Sequence, residues 1–177
     1  MKLKPRSGLE RLEDAFDRHY PALYRYFRYR GADADIANDL ASAVFERALE
    51  NLERFDPRRA KISTWLFTIA RNLSINHWKA EKHTLPLDDD LPIPDELPLE
   101  QIIVLTQDRE QILLALQSLD ERAREILALK FGGPLTNRQI AELTSLTESN
   151  VGIILYRSLL KLRTLLASDP MEARHDH

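Results

Sequence analysis

"STWLFTIARNLSINHWKAEK", residues 63–82, carries the spacing of one amphipathic helix. Ile62, Trp65, Leu66, Ile69 and Leu73 recur on a single stripe, and Ser63 or Thr64 is the expected N-cap. The wet side is the unusual one. It holds Arg71, Asn72, Asn76, His77, Trp78, Lys79 and Lys82, where alternating Glu and Lys would serve solubility equally well. Asn, Arg and Lys donate to phosphates and base edges, whereas Trp and His stack on unpaired bases. A reader of intact duplex needs no stacking platform; a protein that holds separated strands does. Trp65 belongs to the apolar stripe and is expected in the core, while Trp78 is placed as an exposed platform. An ordinary solvated face is the competing reading of the same residues.

Upstream, helical periodicity continues, without β alternation. A first helix is expected from about Leu9 to Tyr29, burying Leu12, Phe16, Leu23 and Phe27, with a kink or break near Tyr20 because Pro21 falls inside it. "GADAD" (31–35) is a turn leading to an N-cap, and a second helix runs from about Ala34 to Leu52 with Ile36, Leu40, Val44, Ala48 and Leu52 on one face. Pro57 pushes Asp56 out of helical geometry, so residues 54–61 form a loop. Residues 1–83 therefore read as a three-helix domain.

Downstream lies "LPLDDDLPIPDELPLE" (85–100), with four prolines, six acids and neither Lys nor Arg. Residues 84–106 are accordingly an acidic, Pro-rich linker. Helical pattern resumes near Leu99 and passes through Ile112, Leu113 and Leu116. Asp120 caps the next helix, which stops at Gly132–Gly133–Pro134; Thr136 with Gln139 fits a capping box; Thr147 caps the last helix. From Leu135 to Arg163 the order is short helix with small Ala141, tight turn, longer helix, which is the logic of a helix-turn-helix. Residues 107–168 form this second all-α domain, and 169–177 a frayed tail.

The net charge of −3 conceals blocks of opposite sign. Residues 52–83 hold seven Lys/Arg against three acids, and residues 84–110 one against eight. With a screening length of about 8 Å such patches act separately. The chain has no cysteine, no apolar stretch near the ~20 residues that span a bilayer and no signal-peptide pattern, so a cytoplasmic protein without membrane insertion is expected. Nucleotide-binding, zinc-protease and hydrolase motifs are missing and the five His are scattered, so no catalytic residue, metal or cofactor is expected.

Two segments resemble one family. "DADIANDLASAVFERALENLERFDPRRAKISTWLFTIARNLSINHWKAEK" is similar to the second conserved region of bacterial sigma factors, and "LLALQSLDERAREILALKFGGPLTNRQIAELTSLTESNVGIILYRSLLKLRTLL" to their fourth. Lacking a third domain between them, the chain resembles the extracytoplasmic-function (ECF) group of the sigma-70 family. The resemblance implies core RNA polymerase and promoter DNA as partners and, by habit of the group, an anti-sigma factor. The second helix would dock on the polymerase through Asp39, Leu40, Phe45, Glu46 and Leu49. The loop, with Arg58, Arg59 and Lys61, and the third helix, with the wet-side residues above, would hold the melted −10 element. The helix-turn-helix would read the −35 element, its candidate contacts being Arg138, Thr147, Glu148, Ser149, Asn150, Arg157 and Lys161. The linker would thread a basic channel as an imitation of nucleic acid.

Two departures from the family pattern stand out. Ser42 occupies a position where Gln is usual, and Gly152–Ile153–Ile154 replaces basic or small polar residues in the recognition helix. The apolar pair is expected to pack. Two other readings stay open: a stand-alone helix-turn-helix regulator, and a sigma-like regulator that binds polymerase without reading promoters.

Overall fold

The computed structural model describes residues 8–78 and 109–167, with side chains from Leu12 and Glu110 onward in the two stretches. Seven α-helices make up the described residues, which contain no strand: α1 (Gly8–Arg30), α2 (Ala34–Glu50), α3 (Ile62–Trp78), α4 (Arg109–Gln117), α5 (Glu121–Gly132), α6 (Asn137–Thr144) and α7 (Glu148–Ala167). A short 3-10 turn, Leu52–Arg54, follows α2. Lys79, Lys82, the linker, the expected helical start at Leu99 and the tail lie outside the described residues.

Local chemistry sets most boundaries. Asp33 accepts from the Ile36 amide at 2.8 Å and starts α2; Asp120 does the same for Ala123 and α5. Thr136 and Gln139 form the full capping box of α6, and Thr147 receives the Asn150 amide at the start of α7. Gly31, at φ 108°, adopts the conformation that lets the chain turn sharply out of α1.

Five expectations are corrected. Helix α1 runs unbroken through Pro21. Pro21 and Asp17 are both exposed, so the carbonyl that loses its amide partner faces water. Phe16 is 43% exposed because the buried stripe of α1 passes through Leu12, Ala15, Leu23, Tyr26 and Phe27, one step to its side. On α2 the deepest positions are Ala37, Ala41, Val44 and Ala48, with Ile36 and Leu40 only half-buried; small residues let the helices approach closely. Helix α3 starts at Ile62, ahead of the proposed caps, its first bond running from the Trp65 amide to the Lys61 carbonyl. Its deepest side chains are Leu66, Phe67, Ala70 and Ser74, while Ile62, Trp65 and Ile69 flank them.

Helices α1, α2 and α3 pack around Leu23, Tyr26, Phe27, Leu66 and Phe67; α7 lies across α4, α5 and α6 over Ile126, Leu129, Ile140 and Leu155. These are one continuous core, since α1 packs on α5 as heavily as on α2. Two glycines permit that approach. A Cβ at Gly132 would stand 2.7 Å from the Tyr26 Cα, and one at Gly133 would enter the ring of Phe67.

Candidate nucleic-acid interface

The loop at 54–61 leads into the start of α3 and packs against its first turn. Phe55 stacks on Trp65, ring centroids 4.8 Å apart, which pins the loop to the helix. Asp56 then shapes the loop: its Oδ1 accepts the Arg58 amide at 2.9 Å, and its carboxylate takes Arg58 Nε and Nη2 at 3.1 and 3.3 Å. The Arg58 contact, chiefly through its side chain, holds the Asp56 carboxyl below its usual pKa. Arg58, Arg59 and Lys61 are all exposed, so the loop presents three cations. Behind it opens a cleft of about 480 Å³ lined by Asp14, Arg18 and His19 of α1 and by Phe55, Arg58 and Lys61. Partial burial, reinforced by Arg18, lowers the pKa of His19, which favours neutral imidazole.

Of the expected α3 residues, Asn72, Asn76 and His77 are exposed. Two are not on an open face. Arg71 turns sideways to α5, where its Nε meets Glu125 Oε1 at 2.9 Å, the side chains being 21% and 8% exposed. Trp78 is half-buried beneath Arg30, whose guanidinium carbon lies 5.1 Å from the indole centroid, and His77 meets its edge at 4.7 Å. The isolated helix pattern could not reveal either contact, because both partners come from other helices.

Those partners form a polar seam between the two halves of the chain. Arg30, 2% exposed, donates Nε to Ser74 Oγ at 2.9 Å and Nη1 to the Glu121 carbonyl at 3.2 Å; its Nη2 stands 3.5 Å from Glu121 Oε1. Tyr26 is wholly buried beside this cluster, and burial pushes its phenol up to about 12, with Arg30 opposing and Glu125 adding to the shift. Ser74 neighbours the phenol, tempering the rise, and accepts from Arg30; among the described residues the Tyr26 hydroxyl has no partner in hydrogen-bonding geometry. Further along, Gln139 of α6 donates to Thr64 Oγ1 of α3 at 2.9 Å.

In the second half, Ser145 adopts left-handed geometry (φ 57°) as the stop after α6, and Ala141 is buried at the crossing with α7. Thr147, Glu148 and Ser149 are exposed at the start of α7 and Asn150 is half-buried. Ile154 packs inward as expected, whereas Ile153 is half-buried and nothing lies within 4 Å of a Cβ built on Gly152. Arg138 is exposed and paired with Glu142 at 3.4 Å. Lys161 donates to the Ser118 carbonyl at 3.0 Å, so in this arrangement it secures the end of α4. Arg157 is half-buried.

On α2, Asp39, Glu46 and Leu49 are exposed, Leu40 is half-buried and Phe45 is buried. Phe45 instead carries Phe16, 4.7 Å away, and Phe16 leans on Tyr20 at 5.0 Å. Sequence reading assigned Phe16 to the core and so missed an aromatic surface; its position beside, not within, the stripe was the available signal. Among the described residues no helix is long and apolar enough to cross a membrane.

A profile described as Sigma-70 region 2 matches residues 15–84, and one described as Sigma-70, region 4 matches residues 109–162. The ECF RNA polymerase sigma factor SigM of Bacillus subtilis is 24% identical over 87% of this chain and 94% of its own length. The ECF sigma factor RpoE of Cereibacter sphaeroides is 28% identical over 85% of this chain and 83% of its own length. The ECF sigma factor BldN of Streptomyces coelicolor is 28% identical over 87% of this chain, which spans only 60% of BldN. Among solved structures, CnrH in complex with the cytosolic domain of CnrY superposes with TM-score 0.68 at 20% identity, covering 92% of this chain and 91% of CnrH. RpoE of Bartonella quintana, in complex with the anti-sigma factor NepR, gives 0.65 at 17% identity, covering 91% and 99%. At those identities the superpositions speak for the fold.

Proposed function

The chain belongs to the extracytoplasmic-function group of the sigma-70 family, and from that membership we propose how its residues divide the work of starting transcription. It is a promoter-recognising subunit that acts with core RNA polymerase on promoter DNA. Sigma factors are not enzymes, and the proposed roles include no catalytic one. Helix α2 offers Asp39, Glu46 and Leu49 to the polymerase, with Leu40 at the margin and Phe45 bracing the surface from below.

The observation that carries the −10 assignment is the set of exposed loop cations beside an open cleft. Arg58, Arg59 and Lys61 are exposed, Arg58 and Lys61 line the cleft, and Asn72, Asn76 and His77 are exposed further along α3. Cations along a groove hold a backbone, amides read base edges, and a recess beside them can receive an unstacked base. Extrusion costs a few kcal/mol, which contacts of ~1–3 kcal/mol each can offset. Lys79 and Lys82 extend the same basic stretch in sequence. The start of α7, with Thr147, Glu148, Ser149 and Asn150, reads the −35 duplex, with Arg138, Arg157 and Lys161 as its cationic neighbours. An anti-sigma factor is the natural antagonist of such a protein.

The test is transcription in vitro with core polymerase on a bank of promoters, comparing wild type with Asn76→Ala plus Lys79→Ala. Open-complex formation is expected to fall at least tenfold, as for the loss of contacts of about 1–3 kcal/mol, with polymerase binding retained. Unchanged transcription removes the assignment.

A further inference from the structure

Resting on the −10 reading, we infer that the cleft between α1 and the cationic loop is a site for one unstacked guanine, and that Asp14 and Arg18 of α1 select that base.

The cleft is built to take a single flat polar ring. Its volume is about 480 Å³. Phe55, Pro57 and Ile62 give it apolar lining, and Ala15, buried on α1, ends at its Cβ and leaves depth beside them. Apolar walls with a few polar groups at the edge hold a ligand and fix its orientation. Phe55 is held by its stack on Trp65 and the loop by the Asp56 clip, so the far wall is set before a ligand arrives. Charge favours a nucleotide over a neutral ring. Arg18, Arg58 and Lys61 outnumber Asp14 in the lining, and the exposed Arg58 and Lys61 can hold the phosphates that flank the base.

The α1 wall makes the choice of base. Asp14 and Arg18 stand one turn apart on the same helix face and line the same cleft. A carboxylate only accepts and a guanidinium only donates. The pairing edge of guanine carries two adjacent N–H donors, at N1 and N2, beside the O6 acceptor. The two donors match the two carboxylate oxygens of Asp14, and O6 matches Arg18. Adenine and cytosine set a ring-nitrogen lone pair next to their single amino group, and thymine sets its one N–H between two carbonyls. Each of these would turn a lone pair toward Asp14. His19 also lines the cleft, and its lowered pKa makes it an uncharged flat surface against the base rather than another cation.

The test uses holoenzyme, the full chain with core polymerase, on a promoter pool randomised across the −10 element, with opened templates recovered and sequenced. Wild type should enrich guanine at one non-template position by roughly tenfold or more, the size of one hydrogen bond to a charged group. Inosine at that position, which lacks the N2 amine, should reduce opening by a similar factor. Asp14→Asn should erase the preference at that position alone, and Arg18→Gln should weaken it. Both residues are exposed, and circular dichroism checks that each variant is folded. A loss of opening in Asp14→Asn spread evenly over all positions gives Asp14 a structural role only and overturns the proposal. In a second arm GMP is added to the free chain and read by tryptophan emission, because Phe55 joins the cleft to Trp65. Saturable binding lost in Asp14→Asn, without a preference in the strand, assigns the cleft to a free guanine nucleotide and overturns its place in the −10 site. A pool from which no template opens removes the −10 reading itself; opened templates indifferent to guanine remove only the assignment to α1.

Discussion

The indole of Trp65 and the ring of Phe55 lie 4.8 Å apart and 28° from parallel. This single stack ties the cationic loop to the helix that follows it. Removing it should free the loop without disturbing the core. Phe55→Ala is expected to lose about 0.5–1.5 kcal/mol for the aromatic pair, plus the buried area. Tryptophan fluorescence should shift toward that of a more hydrated indole, and promoter opening should weaken while polymerase binding is kept. Unchanged emission would mean that the stack does not anchor the loop.

The Asp56 clip has a pH signature. Its carboxyl, held low by Arg58, is charged throughout the range above its ordinary value of 3.8, and there its contribution to loop order is complete. The contribution fades only as pH falls through the lowered value. Asp56→Asn should release Arg58 at neutral pH and abolish that acid-side dependence, read by amide exchange at Arg58 and Arg59.

Tyr26 acts at the opposite end of the scale. Its phenol is raised from 10.0 to about 12, so the folded chain keeps a proton that the unfolded chain sheds. Stability from this source is full below pH 10 and declines as pH climbs toward 12, by about 3 kcal/mol in all at 1.36 kcal/mol per unit. Tyrosinate absorbance from this residue should therefore appear together with unfolding. Because the hydroxyl has no partner in hydrogen-bonding geometry among the described residues, Tyr26→Phe should stabilise the protein by about 1 kcal/mol in urea denaturation.

The crossing of α6 and α7 is close at Ala141, which is 5% exposed. Ala141→Leu should cost about 1–3 kcal/mol by overpacking and weaken −35 binding by displacing the reading helix. Thr136→Ala, which removes half of the capping box, should cost about 1 kcal/mol and leave that spacing intact. Paired denaturation and duplex-binding measurements separate the two outcomes.

What could be read from sequence was local. Asp33, Asp120, Thr136 with Gln139, and Thr147 act on amides three positions away, so their types and spacing suffice. The stripes of α2 and α3 drifted because burial there falls on Ala37, Ala41, Ala70 and Ser74, small residues that an apolar pattern passes over. Arg71 and Trp78 looked like free surface until α5 and the end of α1 were laid against them, and no neighbour in sequence announces Glu125 or Arg30. Arg30 shows the limit most clearly. It is a cation in a run of polar and aromatic residues, yet it is 2% exposed, because its donors find Ser74 and Glu121.

Gly152 stands on the reading helix with nothing within 4 Å of the place its side chain would fill. That vacancy is an engineering handle. Alanine there should stiffen the helix by ~1 kcal/mol without displacing a neighbour. Stiffening the helix that reads upstream DNA would therefore take a change at one codon.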